Sequence, residues 1–298
     1  MYSSIEKVKS NADFIGLWYR DNDRMVFSSA ISDRMSWEKP TEECDQIAHE
    51  AARNKSPVIR SDETQFDFTT FLLAIPILSQ NVVKSVVVFR FLESMIRLTA
   101  LEVWNLVEDR ADLELLDGCY GHLHHFREVS QNVRFQIGIG LPGMTWKTAM
   151  PRLLQPLSTS EEFIRADDAL QVGLEIGVGF PILGEHDEVQ SVLLMLSPNR
   201  LTFAEEFQVW REEQDRFRMS DSLNCRNKRH PVAENHCSLK LQAVIEDLVA
   251  EAMIKQTIVV EKIPSPLLTE EERELSGIVV MPVLRGVGAS SALVLLTN

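Results

Sequence analysis

One hairpin-like phrase occurs three times in this chain, about a hundred residues apart. It reads Leu72–Leu78 then Val82–Phe91, Gly177–Leu183 then Val189–Ser197, and Gly277–Leu284 then Ser290–Thr297. Each copy is an apolar run with a proline near its end, a short polar or glycine-bearing turn, and a second apolar run. The prolines, Pro76, Pro181 and Pro282, lie 105 and 101 residues apart. Solenoid units are typically about 20–50 residues long, so this period points to duplication of a whole domain. Other pairs keep the same phase. Val103-Trp104 matches Val209-Trp210, Asp109-Arg110 matches Asp215-Arg216, and Cys119 matches Cys225, each offset by 106; Ala149-Met150 matches Ala252-Met253, offset by 103. The first copy is shorter at its start and enters at Ala12-Asp13-Phe14, which is similar to Ala111-Asp112-Leu113.

Length and composition agree with several domains. A chain of 298 residues suggests two or three of them. An apolar fraction of 45% with 25% charged residues supports packed cores rather than disorder. The net charge of −14 is spread along the chain and opposes binding to phosphate backbones, which clustered Lys and Arg would drive. The one basic run, Arg226–His230, reads as a solvated loop, so no nucleic-acid partner is expected. The N-terminus has no apolar core like that of a signal peptide, and no window approaches the ~18–20 apolar residues of a membrane span. Four cysteines make no disulfide framework. The expectation is a cytoplasmic protein with reduced, mostly packed thiols and no membrane partner.

Short β-branched runs predict strands at Phe14–Tyr19, Leu72–Ile77, Val82–Phe91, Val133–Ile139, Val189–Leu196, Gly277–Val283 and Ala292–Leu296. Thr41 followed by Glu42 and Glu43 opens a helix to about Lys55, and Leu239–Ile254 is its counterpart. Two connecting helices are expected as well. Phe203, Phe207 and Trp210 fall at i, i+4, i+7, and in Ser94–Asp109 the residues Met95, Leu98, Leu101, Trp104 and Val107 form a stripe flanked by Ile96, Val103 and Leu106. So wide an apolar face must bury against two domains or a second subunit. The fold class expected is α/β (α+β): repeated modules, each a largely antiparallel sheet flanked by helices and joined by connecting helices. The modules span 1–93, lacking a lead-in helix, then 94–200, and a divergent 201–298.

Residues 133–200 contain the most specific string. Gly138-Ile139-Gly140-Leu141-Pro142-Gly143-Met144-Thr145-Trp146 is followed by Pro151, Phe163-Ile164-Arg165-Ala166, Gly173-Leu174 and Gly179-Phe180-Pro181-Ile182. This resembles the GAF domain family, in which a G-x-G-L-P-G-x-x-W stretch precedes a proline, an F-x-R-A segment and a strand ending in F-P-I. The likeness covers about residues 100–200. The first and third copies share only its strands and crossover helix. The resemblance implies a small-molecule pocket in the middle module, with Phe135, Met144, Trp146, Phe163 and Phe180 as lining and Arg165 as a fixed charge for a carboxylate or phosphate. The glycines then form a loop folded over the pocket. The same residues also suit a closed core in which Arg165 pairs with Asp167 or Asp168.

Candidates for chemistry are sparse. On a strand His122 and His124 would share a face and His125 would take the other, so only two histidines converge. Cys225, His230, His236 and Cys237 follow no zinc-module spacing. Within the resembled family, the cyclic-nucleotide signature N-K-x-n-F-x3-D-E is missing, and no cysteine is placed for a bilin. Cys44, Cys119, Cys225 and Cys237 belong to three different modules, which disfavours a thiol relay. The expectation is therefore a non-catalytic sensory or regulatory protein of tandem GAF type, binding a small molecule in its middle module; no cofactor can be named. The chain stops at Asn298 directly after a strand, so output is expected through a signalling partner or homo-oligomerisation, with Met95, Leu98, Leu101 and Trp104 as the contact surface. A ligand-free dimerisation scaffold is the alternative, and a thiol-dependent reductase the second.

Overall fold

The computed structural model describes residues 12–32, 39–64, 67–92, 97–107, 111–199, 201–214, 216–225, 237–270, 272–286 and 288–298. Its strands form three antiparallel sheets, one for each copy of the repeat. The first contains β1 (Phe14–Asp21), β2 (Arg24–Ser32), β3 (Val58–Thr64), β4 (Asp67–Ser79) and β5 (Val82–Leu92), ordered β2-β1-β5-β4-β3. The second contains β6 (Ala100–Val107), β7 (Asp112–Cys119), β8 (Phe135–Gln136), β9 (Arg152–Leu154), β10 (Ile176–Leu183) and β11 (Val189–Ser197), ordered β8-β7-β6-β11-β10-β9. The third contains β12 (Glu206–Glu213), β13 (Arg216–Asn224), β14 (Val259–Lys262), β15 (Gly277–Arg285) and β16 (Gly288–Thr297), ordered β13-β12-β16-β15-β14. Apart from β8, the three orders are the same. The architecture is that of repeated modules, each a largely antiparallel sheet flanked by helices.

In each module a helix crosses from the first hairpin to the edge strand and packs on the second hairpin. These helices are α1 (Glu42–Asn54), α3 (Gly140–Thr148) and α5 (Leu239–Lys255). The middle module adds α2 (His124–Gln131) and α4 (Ala166–Val172), which pack on each other. Thr41 caps α1 by accepting from the Cys44 amide at 3.4 Å, as its sequence predicts. The crossover helices all end on a left-handed residue: Lys55, Ala149 and Gln256.

The two expected connecting helices do not form. Ala100–Val107 is strand β6 and Glu206–Glu213 is strand β12. Each is flanked in its sheet by two strands and buried on both faces over its first half. An apolar segment with two apolar flanks thus meets the needs of a covered strand as well as those of a wide helical face. Leu101 and Trp104 are buried, so neither belongs to a surface for a second subunit. Leu98 is exposed, and Met95 lies outside the described residues.

Register corrects the internal alignment too. A β-bulge falls between Val103 and Trp104, between Val209 and Trp210, and between Leu17 and Trp18. Trp18 is therefore the first-module equivalent of Trp104 and Trp210, and Ala12-Asp13-Phe14 aligns with Leu98-Thr99-Ala100 at the start of β6 rather than with Ala111-Asp112-Leu113. Trp104 pairs with Leu115 but Trp210 with Met219. The return strands are consequently offset by 104, and Cys119 corresponds to Leu223, not to Cys225. Ala149 corresponds to the capping Gln256, with Ala252 inside the helix a turn earlier. Asp109, Arg110 and Asp215 are outside the described residues.

The three prolines meet at the centre of the molecule. β4, β10 and β15 touch one another, and Pro76–Leu78, Pro181–Leu183 and Pro282–Leu284 surround a void of about 10 Å³. Proline is accepted there because the edge strand has already ended. The edge pairing reaches only Ala74, Gly179 and Val280, two residues short of each proline, so the missing N–H faces no ladder partner. Around this axis every edge strand packs on the first hairpin of the next module: β3 on β7, β9 on β12 and β13, β14 on β1 and β2. Head-to-tail contacts of this kind close into a ring when the rotation permits, and three modules close it here.

One joint differs chemically from the other two. Ser85, Ser191 and Ser291 occupy equivalent positions, one residue before the strand partner of each proline. Ser85 Oγ accepts from the Ile258 amide at 3.0 Å, whereas the Ser191 and Ser291 hydroxyls are buried without a partner among the described residues. The positions equivalent to Ile258 are Pro57 and Pro151, which have no amide hydrogen to give. Replacing Ser85 by Ala should therefore cost about 1–2 kcal/mol by orphaning a buried N–H. Ser191→Ala and Ser291→Ala should be neutral or slightly stabilising in the same urea titration.

Candidate functional site

Three of the residues singled out in the middle module, Phe135, Phe163 and Arg165, meet around an internal ion pair. Glu102 comes from β6, Phe135 from β8, Ser130 from α2, and Phe163 and Arg165 from the segment between β9 and β10. That segment is longest in this module: 155–175 here against 263–276 in the third, while in the first module Thr64 pairs with Asp67 across a two-residue link. Arg165 stands at the N-cap of α4, which places its side chain under the α2–α4 pair.

Arg165 is 2% exposed and Glu102 is fully buried. Arg165 Nη1 donates to Glu102 Oε1 at 2.6 Å and to Ser130 Oγ at 2.5 Å; Nη2 donates to Glu102 Oε2 at 2.8 Å. Trp104 Nε1 donates to Glu102 Oε2 at 2.9 Å. The guanidinium lies over the rings of Phe126, Phe163, Trp104 and Phe135, between 4.7 and 5.6 Å from their centroids. Burial by itself would raise the Glu102 carboxyl, but the Arg165 charge and the hydrogen bonds from Arg165, Ser130 and Trp104 hold it below its ordinary range. Arg165 does not pair with Asp167 or Asp168. Asp168 accepts from, or pairs with, His125 Nε2 at 3.2 Å, tying α4 to α2 at the surface.

The remaining lining candidates are packed or displaced. Phe180 is buried in β10, while Met144 and Trp146 are half-buried on α3. The glycine stretch makes no loop over a pocket: Gly140–Gly143 is the first turn of α3. Gly143 is required by close approach, because a Cβ there would fall 2.2 Å from the Gln136 carbonyl oxygen. A Cβ on Gly179 would likewise lie 2.2 Å from Thr145 Oγ1. The glycines let the helix approach β8 and β10 closely. Glu102 and Ser130 were not singled out in the sequence, and their only signal there is indirect: an acidic residue inside an otherwise apolar run.

Chemistry elsewhere is limited. His124 and His125 begin α2 rather than lying on a strand. Among the described residues no group of three His, Cys, Asp or Glu side chains is placed to hold a metal. His230 and His236 are outside the described residues. The four cysteines are free thiols; burial pushes the Cys44 thiol up, away from the reactive thiolate. No described helix is long and apolar enough to cross a membrane.

Among solved structures, three similar ones are a GAF domain from an Acinetobacter phosphoenolpyruvate-protein phosphotransferase, the nlh2 GAF domain of A. aeolicus, and a GAF domain/HD domain protein from Geobacter sulfurreducens. The chain resembles GAF domains. Identities are 19%, 16% and 15%, with TM-scores of 0.26, 0.26 and 0.28. Each match covers 33% of this chain, and the chain spans 53%, 57% and 62% of those GAF-containing chains. No family model and no curated protein matches the sequence.

Breaking the pair from one side should be costly. Glu102→Gln leaves a buried guanidinium without its counter-charge and should destabilise the protein by about 3–5 kcal/mol in denaturant titrations, whereas Glu102→Leu with Arg165→Met should recover most of that loss. Because folding lowers the Glu102 pKa, its contribution is present above about pH 4.3, the usual unfolded value for glutamate. It is lost as pH falls through the lower folded value. The stability gap between parent and Glu102→Gln should accordingly be wide at pH 7 and narrow progressively below pH 4.

Proposed function

We propose that this chain is a non-catalytic regulatory protein of tandem GAF type that works as a scaffold for protein contacts, with a middle module that is closed to ligands. The observation that carries this reading is the Glu102–Arg165 pair. Both terminal guanidinium nitrogens are taken by Glu102 and Ser130, and four aromatic rings fill the space around them. A carboxylate or phosphate ligand would have to displace Glu102, a counter-charge already desolvated and bound bidentately. That exchange gains little, since an incoming anion would take the same two terminal nitrogens that Glu102 and Ser130 already occupy. The sequence resemblance of residues 133–200 and the common sheet order of the three modules support the GAF-type assignment. The dispersed and mostly buried cysteines support a non-catalytic role. Output then runs through contact with a partner protein or a second copy.

The reading is tested by native and denaturing mass spectrometry of the full chain, with and without Arg165→Ala. The expected native mass contains polypeptide only, as a monomer or a discrete oligomer, and Arg165→Ala lowers thermal stability without removing any bound species. A co-purifying organic anion present in the parent and missing from the variant would establish the middle module as a receptor instead.

A further inference from the structure

The three first hairpins present the same tryptophan but cover it differently. In the first module Phe27 of β2 meets Trp18 edge-on at 5.3 Å. In the middle module a short extra strand does so. β8 pairs with the edge of β7, Gln136 opposite Asp112 and Phe135 opposite Leu113, and the Phe135 ring meets Trp104 edge-on at 4.6 Å. The next residue, Arg134, forms an ion pair with Glu114. In the third module β13 is the sheet edge, with no strand beside it among the described residues. An open groove of about 320 Å³ runs between β13 and α5, lined by Trp210, Arg216 to Met219, Gln242 and Glu246.

Register defines what this groove lacks. Relative to the shared tryptophan, Arg216, Phe217, Arg218 and Met219 stand where the middle module has Asp112, Leu113, Glu114 and Leu115. The apolar face is kept, and the polar face has its charge reversed twice. Arg216 and Arg218 are exposed and make no ion pair among the described residues. Arg218 also lies directly opposite Arg211 in the β12–β13 ladder, a like-charge pairing in which Asp221 already acts on Arg211. Where β8 presents Arg-Phe-Gln to an acidic edge, the third module offers a basic edge and an aromatic pocket.

We infer that the β13 edge is a docking site for an extended acidic peptide of a partner protein, which adds as a strand in the place that β8 fills in the middle module. The peptide carries an aromatic residue between two acidic ones. The aromatic ring enters beside Trp210, Phe217 and Met219, as Phe135 does beside Trp104. The flanking carboxylates fall opposite Arg218 and Arg216, and main-chain hydrogen bonds to the strand edge supply the rest of the affinity. This inference names one contact of the scaffold proposed above but rests on β13 alone, so it can fail while the closed middle module stands.

The test is fluorescence anisotropy of the full chain with a labelled hexapeptide, Ser-Thr-Glu-Phe-Glu-Ser, and its charge-reversed form, Ser-Thr-Arg-Phe-Arg-Ser. The expected result is saturable binding of the acidic peptide only, weakened at least about tenfold by Arg218→Glu. Arg216→Glu with Arg218→Glu should reverse the preference and bind the basic peptide. Circular dichroism should show both variants folded, since both positions are exposed. Failure of the parent to bind the acidic peptide, equal binding of both peptides, or an unchanged affinity after Arg218→Glu would each overturn the inference. So would a dimer formed through β13 that excludes the peptide, which sedimentation at the same concentrations would reveal.

Discussion

Everything in this molecule is referred to the place where three proline-bearing strands press together. Strands β4, β10 and β15 bury nine residues around a void no larger than a single water requires. Their hairpin partners, β5, β11 and β16, lie at the middle of each sheet and are apolar along most of their length. Once these hairpins are fixed, each edge strand has one neighbour to meet, and the crossover helices are left to cover the outward face. The prolines do more than mark the repeat. They stand two residues beyond the end of the edge ladder, at the same height in every module, where the strand tips face one another.

Three modules with one topology have drifted toward three chemistries on the same face. At the position after the sheet tryptophan's inner neighbour, the first module has Gly16, the second Glu102 and the third Gln208. The tryptophan N–H follows: Trp18 donates to Asp45 on α1, Trp104 to Glu102 and Trp210 to Gln208, all at 2.9–3.0 Å. Only the middle module carries an acidic residue at that position, and its segment before β10, the longest of the three, delivers Arg165. Glu102 and its counter-charge therefore come from the same module, and the segment's length matches what it must reach.

The repeat, its period, the second hairpins and the crossover helices 41–55 and 239–254 were legible in the sequence, because each depends on local pattern and capping. Val-Trp was a sound landmark because it marks a bulge, a feature fixed by backbone geometry. The connecting helices were misread because β6 and β12 are covered on both faces, and a continuous apolar run has no period that separates strand from helix. That Phe135, Phe163 and Arg165 belong to one place was also legible, but its meaning was not. Whether Arg165 serves a ligand or the protein depends on Glu102, which lies 63 residues away and becomes its partner only when β6 is a strand.

The ring has one seam that the polypeptide itself does not sew. Peptide links tether the first module to the second and the second to the third, but among the described residues the third meets the first through packed side chains and the Ile258–Ser85 hydrogen bond. Gly277 sits at this seam, where any Cβ would lie 2.6 Å from Ile31 Cδ1. At the two sewn joints, prolines have been allowed to silence the equivalent amides. Sequence drift is thus cheapest where the backbone holds the modules together, and most restricted where fit alone must do so.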